Sequence, residues 1–107
     1  MADYLIQIAY TPEAVARLVA NPQDREEVAR SLIERLGGEL KGFWFSFGDY
    51  DLVELATFPD NVNAAALSMA VFGGGAVEAF KTTPLLSLNE GMEAMKKASG
   101  LGYKPPH

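Results

Sequence analysis

Two adjacent segments near the middle of the chain constrain its fold more than any other feature. Residues 39–47 and 50–58 are rich in aromatic and β-branched residues, which favour strands, and only Gly48 and Asp49 separate them. A two-residue connection that begins with glycine suits a type II′ turn. The sequence therefore predicts an antiparallel β-hairpin over residues 39–58.

The segment before this hairpin combines a strand pattern with two helix starts. Apolar residues alternate over residues 3–10, which predicts a strand. Thr11-Pro12 and Asn21-Pro22 each pair a capping residue with a proline at the first helical position. We therefore expect a short helix after Pro12 and a longer one over residues 22–36.

The segment after the hairpin repeats the alternation of helix and strand. An alanine-rich apolar segment predicts a helix over residues 61–72, and residues 76–83 form a strand pattern that Pro84 should limit. Ser87 and Glu90 have the spacing of a capping box, which predicts a short terminal helix that Gly100 ends.

This order of elements, β-α-β-β-α-β with a terminal helix, is that of a ferredoxin-like α+β sandwich. Right-handed crossovers would place both main helices on one face of a four-stranded antiparallel sheet. At 107 residues the chain is expected to be one domain, residues 1–107.

The predicted strands are apolar on both faces. Phe43 and Phe45 alternate with Trp44, and Leu52 alternates with Val53, whereas a sheet with one solvated face would alternate apolar and polar residues. We expect a second copy of the chain to cover the second face, in a homodimer or a higher oligomer. Coverage by the terminal helix and tail is the alternative.

Composition excludes several partners. The chain has no cysteine, a net charge of −5 and a sequence pI near 4.7. An acidic surface disfavours nucleic acid. Since the start of the sequence lacks a signal-peptide pattern and no apolar segment is long enough for a bilayer, we expect a cytoplasmic protein that does not bind membranes.

The acidic cluster around Tyr50 is a candidate acid–base site. Tyr50 and Glu54 are four residues apart in the predicted strand and share a face, whereas Asp51 faces the other side. A buried carboxyl with a raised pKa could abstract a proton while Tyr50 stabilises an enolate. Alternatively, Asp49 fills a turn, Asp51 binds nearby backbone and Tyr50 packs.

Polar side chains within the apolar strands form a second candidate set. Gln7, Ser46, Glu54, Glu78 and Lys81 could orient a small ligand in an apolar pocket, and Trp44 could stack on it. A role in the contact between subunits or at an edge strand is the alternative. Neither the pattern nor the spacing decides between them.

No cofactor or metal is expected from the sequence. His107, the last residue, is the lone histidine, and without cysteine only carboxylates could complete a metal site. Gly73-Gly74-Gly75 follows a helix pattern, which indicates a turn rather than a phosphate-binding loop. Met69, Met92 and Met95 are expected to fill the core.

The segment Gly48-Asp49-Tyr50-Asp51 resembles the signature of the GYD domain family. The first strand, the Asn21-Pro22 break, the alanine-rich helix and the segment from Lys81 to Leu85 are also similar to that family. The resemblance covers nearly the whole chain and implies a small bacterial protein with a ferredoxin-like, dimeric α/β-barrel fold and no established role. Because the chain has no internal histidine, it departs from the haem-binding branches of the wider dimeric α/β-barrel group.

The sequence leaves three functions open. The first is a small-molecule-binding module without enzymatic activity. The second is a cofactor-free monooxygenase or isomerase that acts on an aromatic or enolisable substrate, with Tyr50, Asp51 or Glu54 in acid–base roles. The third is a purely structural assembly subunit. An enzyme predicts a cavity on which several of the candidate polar side chains converge, a binding module predicts a cavity without that convergence, and an assembly subunit predicts no cavity.

Overall fold

A computed structural model describes residues 1–106, so the prediction for His107 lies outside the described residues. The elements follow in the order β1 (Ala2–Tyr10), α1 (Pro12–Ala20), α2 (Arg25–Arg35), β2 (Glu39–Phe45), β3 (Leu52–Phe58), α3 (Asn61–Gly73), β4 (Val77–Leu85) and α4 (Leu88–Ser99). The predicted α+β order and the ferredoxin-like fold are confirmed.

The four strands form one antiparallel sheet in the order β2-β3-β1-β4. At its centre, Ile6 of β1 lies opposite Glu54 of β3 on one side and Thr82 of β4 on the other. Residues that lie opposite one another across neighbouring strands share a face of the sheet. This register therefore fixes which side chains point at the helices.

The core lies between one face of the sheet and the helices. Ile6, Phe58 and Ile33 of α2 are the largest side chains that are completely buried. The same cluster contains Tyr4, Ile8, Leu40, Leu52, Ala56, Ala64, Leu67 and Val77. Within residues 1–106, no helix is long and apolar enough to cross a membrane.

Helix α2 begins three residues later than predicted. The Asp24 carboxylate accepts hydrogen bonds from the backbone N–H groups of Glu26 and Glu27, at 3.0 and 3.3 Å. These bonds satisfy donors that the first turn of a helix leaves free, so Asp24 rather than Asn21 caps α2. Arg25 is therefore the first residue of the helix.

The hairpin is confirmed, but its predicted two-residue turn is wrong. β2 ends at Phe45 and β3 begins at Leu52, so residues 46–51 form the connection. Asp51 makes backbone hydrogen bonds on both sides: its carbonyl oxygen accepts from the N–H of Ser46, at 2.8 Å, and its own N–H donates to the carbonyl oxygen of Ile8 on β1, at 2.8 Å. Gly48 has a φ of 146°, which suits glycine in this longer loop.

Strand β4 continues past Pro84, which was expected to limit it. Pro84 lies opposite Tyr4, and the strand ends at Leu85. β4 is an edge strand, and proline is tolerated at an edge because its missing N–H can face away from the ladder.

Gly38 makes a close backbone approach where α2 joins β2. A Cβ atom built on Gly38 would lie 2.2 Å from the carbonyl oxygen of Thr57 on β3. Any larger residue must displace the backbone at this point. This contact holds the end of α2 against the sheet.

Helix α4 stands apart from the rest of the domain. It contributes no buried residue, and Met69 on α3 and Met95 on α4 are 74% and 71% exposed. The Cα radius of gyration is 17.1 Å, compared with about 13 Å for a compact chain of this length. The prediction that the methionines fill the core is wrong, because Met69, Met92 and Met95 lie on surfaces that stay exposed within residues 1–106. The terminal helix therefore does not cover the second face of the sheet.

Candidate functional site

A cavity of about 360 Å³ lies between the sheet and the helices. Its walls are mostly apolar and come from α2, α3 and the helix-facing side of the sheet; they include Ile8, Leu32, Leu52, Leu67, Val71 and Phe80. Cavities of this size and character are typical of small-molecule sites.

Small residues leave this space open. Ala29 on α2, Ala70 on α3, and Gly74 and Ala76 after α3 all line the cavity. A leucine or phenylalanine at any of these positions would occupy volume that is now empty. The alanine-rich composition of α3 therefore shapes the cavity directly.

Glu54 lies deepest among the polar groups of the cavity. Its side chain is on the helix-facing side of β3, between Ile6 of β1 and Phe43 of β2, and only 3% of the residue is exposed. Burial among these apolar neighbours raises the pKa of the Glu54 carboxyl from 4.5 to about 7. Near neutral pH this carboxyl can therefore either donate or accept a proton.

Tyr10 and Arg25 form a second polar region of the cavity. Tyr10 ends β1 on the same face as Ile8, and Arg25 begins α2. Burial raises the pKa of the Tyr10 phenol, and the positive charge of Arg25 opposes that rise. The phenol is therefore a hydrogen-bond donor at neutral pH, beside a cation.

The two polar regions lie at opposite ends of the cavity floor. Glu54 is opposite Ile6, and Tyr10 is four residues further along β1. At about 3.3 Å per residue, this places their Cα atoms roughly 13 Å apart along the strand direction. Ile8 and Leu52 fill the floor between them.

Asp51 and Tyr50 lie outside this cavity. The Asp51 carboxylate accepts a hydrogen bond from the backbone N–H of Tyr10, at 2.8 Å, and so fixes the end of β1. The Tyr50 carbonyl accepts a bond from the Ser46 hydroxyl, at 2.8 Å. The prediction that Tyr50 and Glu54 share a strand face is wrong, because β3 begins only at Leu52.

The remaining candidate residues do not line the cavity either. Gln7 lies opposite both Val53 and Lys81 on the outer face of the sheet, and Trp44 is on that face, opposite Val53. Glu78 is exposed at the irregularity where β4 shifts register against β1. Of the residues proposed from the sequence, the structure therefore brings only Glu54 to the cavity.

Tyr10 and Arg25 were not predicted as site residues, although the sequence carries a signal for each. Tyr10 has the strand parity of Ile6 and Ile8, which places it on the core face. Asp24 followed by Glu27 at the third helical position resembles a capping box. That pattern would have placed Arg25 at the start of α2.

Within the part of the chain that the structure describes, no three His, Cys, Asp or Glu side chains lie close enough together to hold a metal ion. The polar groups of the cavity are a carboxyl, a phenol and a guanidinium. This set is suited to hydrogen bonding and to pairing with an anion.

The strand order, the helix layer on one face and the cavity between them define a ferredoxin-like α+β domain. The model of the GYD domain matches residues 4–95, and the chain belongs to this family. The resemblance found in the sequence is thereby confirmed.

Two further comparisons add little about function. No curated protein shows a significant match to the sequence. Among solved structures, the chain is similar to an uncharacterized NIPSNAP domain protein from Burkholderia xenovorans, with 13% identity and a TM-score of 0.48 over 81% of this chain and 94% of the other.

Proposed function

We propose that this GYD domain is a small-molecule-binding module that holds its ligand in the cavity between the sheet and the helices. The observation that carries the proposal is an apolar cavity of about 360 Å³ with a buried carboxyl at its floor. A largely apolar wall with a few polar groups gives a ligand both burial and orientation.

The three functions that the sequence left open make different predictions about this cavity. A purely structural subunit has no need of a cavity. An enzyme was expected to gather several of the predicted polar residues at one point, yet Gln7, Tyr50, Glu78 and Lys81 lie elsewhere. The arrangement therefore favours a binding module.

Thermal-shift screening of a metabolite library tests this proposal. Ala70→Phe should fill the cavity from α3 and abolish the protection that a ligand gives the wild-type protein. Ala65→Phe is the matched control, since Ala65 is exposed on the same helix and does not line the cavity. Ligands that protect Ala70→Phe as well as wild type would place binding outside the cavity.

A cofactor-free enzyme is a second candidate, and the environment of Glu54 favours it. A carboxyl whose pKa lies near 7 is suited to act as a general base at neutral pH. Its carboxylate would take a proton from the carbon beside a carbonyl group, the C–H electron pair would form the enolate, and the proton would return to a different atom. The Tyr10 phenol lines the same cavity.

Exchange of carbon-bound hydrogen tests this second candidate. Phenylpyruvate in deuterium oxide should exchange its enolisable hydrogens faster with wild-type protein than with Glu54→Gln, as proton NMR would measure. Equal exchange rates with the two proteins would remove the enzymatic role of Glu54 and leave the binding module unaffected.

We also infer that a second copy of the chain covers the outer face of the sheet. Leu5, Val53 and Leu55 are half-buried apolar side chains that lie around Gln7 on this face, and α4 contributes no buried residue. Two-fold dimers are the commonest oligomers, and a dimer would bury this surface in both subunits.

Sedimentation at micromolar concentration tests this assembly. The wild-type chain should sediment at twice 11.6 kDa or more. Val53→Lys should dissociate the assembly because it buries a charge at the centre of the contact. Val19→Lys, at an exposed position on α1, should not. An 11.6 kDa monomer for the wild-type protein would contradict the inference.

A further inference from the structure

We propose that the cavity takes a small organic acid, whose carboxylate binds Arg25 and Tyr10 while its apolar body lies along the cavity floor and a hydroxyl group at its far end meets Glu54. This inference rests on the proposed binding function and specifies the class of its ligand. It follows from the charge, spacing and shape of the groups that line the cavity.

Arg25 brings a positive charge to the cavity. Within residues 1–106, the ion pairs join Arg30 to Glu26 and Lys41 to Glu39, and neither includes Arg25. The Arg25 guanidinium donates to the side-chain oxygen of Gln23, at 3.2 Å, which is a neutral partner. A cation that lines a cavity and has no carboxylate partner among these described residues is suited to an anionic ligand.

The Tyr10 phenol lies beside that cation. Because burial raises its pKa, the Tyr10 hydroxyl keeps its proton and can donate it to a carboxylate oxygen. A carboxylate held by a guanidinium and a phenol receives charge-assisted hydrogen bonds, which are stronger than neutral ones. A neutral amide group at the same place would carry no negative charge, so its hydrogen bonds to Arg25 and Tyr10 would be weaker.

The space beyond these two residues is lined by apolar and aromatic side chains. Ile8 and Leu52 form the floor, and Phe43 and Phe80 contribute aromatic side chains to the wall. The volume corresponds to about a dozen water molecules at about 30 Å³ each. A flat or slender apolar body of about ten to twelve non-hydrogen atoms fits this space.

The Glu54 carboxyl lies at the far end of the cavity floor. The Cα atoms of Glu54 and Tyr10 are roughly 13 Å apart along the strand direction, and both side chains face the same cavity, so one ligand can contact both. The other titratable or charged groups that line the cavity are Tyr10 and Arg25, at the other end of the floor, and burial alone shifts the pKa of Glu54. A hydroxyl on the ligand can accept from the protonated carboxyl or donate to its ionised form.

A matched pair of probes tests the class of ligand. Calorimetry at pH 6 would compare para-hydroxyphenylpropionate with its primary amide, which has the same shape without the charge. The wild-type protein should bind the acid at least about tenfold more tightly than the amide. Arg25→Gln should remove this preference. Arg30→Gln should retain it, because Arg30 pairs with Glu26 on the surface of α2 and does not line the cavity.

The outcomes distinguish this inference from the proposed function. If the acid and the amide bind wild type equally and Ala70→Phe blocks both, the cavity is a binding site but the inference of an acid ligand is wrong. If the preference for the acid survives Arg25→Gln, the carboxylate does not bind at Arg25 and the inference is also wrong. If Ala70→Phe leaves the binding of both probes unchanged, the cavity is not their site, which contradicts the inference and the proposed function together.

Discussion

Replacing Glu54 by glutamine should change how the stability of the domain depends on pH. An unfolded glutamate titrates near 4.5, whereas the Glu54 carboxyl titrates near 7 in the folded protein. The folded state therefore binds the proton more tightly, so the free energy of unfolding falls as the pH rises from about 4.5 to 7 and then levels off. Glu54→Gln carries no charge at any pH and removes this contribution.

The size of the effect follows from the same shift. Each pKa unit corresponds to 1.36 kcal/mol, so the ionised carboxyl costs the folded state about 3 kcal/mol above pH 7. For a domain of this length, that difference moves the melting temperature by about 10 to 15 °C. Glu54→Gln should therefore be more stable than wild type at pH 8, and much closer to it at pH 4.5.

Urea denaturation from pH 4.5 to 8 measures both proteins under the same conditions. Glu34→Gln is the control, because Glu34 is an exposed glutamate on α2 and its loss should leave the wild-type pH dependence in place. If the wild-type and Glu54→Gln curves run parallel over this range, the carboxyl is not desolvated in the folded protein and the reasoning is refuted.

Two further predictions concern the frame around the cavity. Asp51→Ala removes the hydrogen bond to the backbone of β1 and should lower the free energy of unfolding by about 2 kcal/mol. Asp49→Ala, at an exposed loop position, should change it little. Equal effects of the two variants in chemical denaturation would contradict the role of Asp51. Gly38→Ala places a Cβ against the backbone of β3 and should destabilise by about 1 to 3 kcal/mol, whereas Gly73→Ala meets no neighbour and should be neutral or stabilising. Similar melting temperatures for the two alanine variants would show that the close approach at Gly38 is absent.

The fold could be predicted because its signals are local and agree with one another. Alternating strands and capped helices determine the element order, and chirality then determines the side of the sheet on which the helices lie. The same strand parity predicted that Glu54 and Asp51 point to different faces of the sheet. The structure puts Glu54 on the face that the helices cover.

The predictions that were wrong concern positions where contacts between distant parts of the chain determine the structure. The predicted two-residue turn is a six-residue connection, in which Asp51 bonds to β1 across the sheet, and no feature of the hairpin sequence reveals that contact. Met95 lies on an amphipathic helix, and such a pattern predicts a buried face without showing what buries it. The cavity itself depends on the absence of side-chain volume at Ala29 and Ala70, which sequence periodicity does not measure.

The most direct test of the account is methyl NMR of the isotopically labelled protein during titration with para-hydroxyphenylpropionate. The account predicts that the chemical-shift changes concentrate on Ile8, Leu52 and Val71, which line the cavity. Changes confined to Leu5 and Leu55, on the outer face of the sheet, or the absence of any change at millimolar ligand, would contradict it.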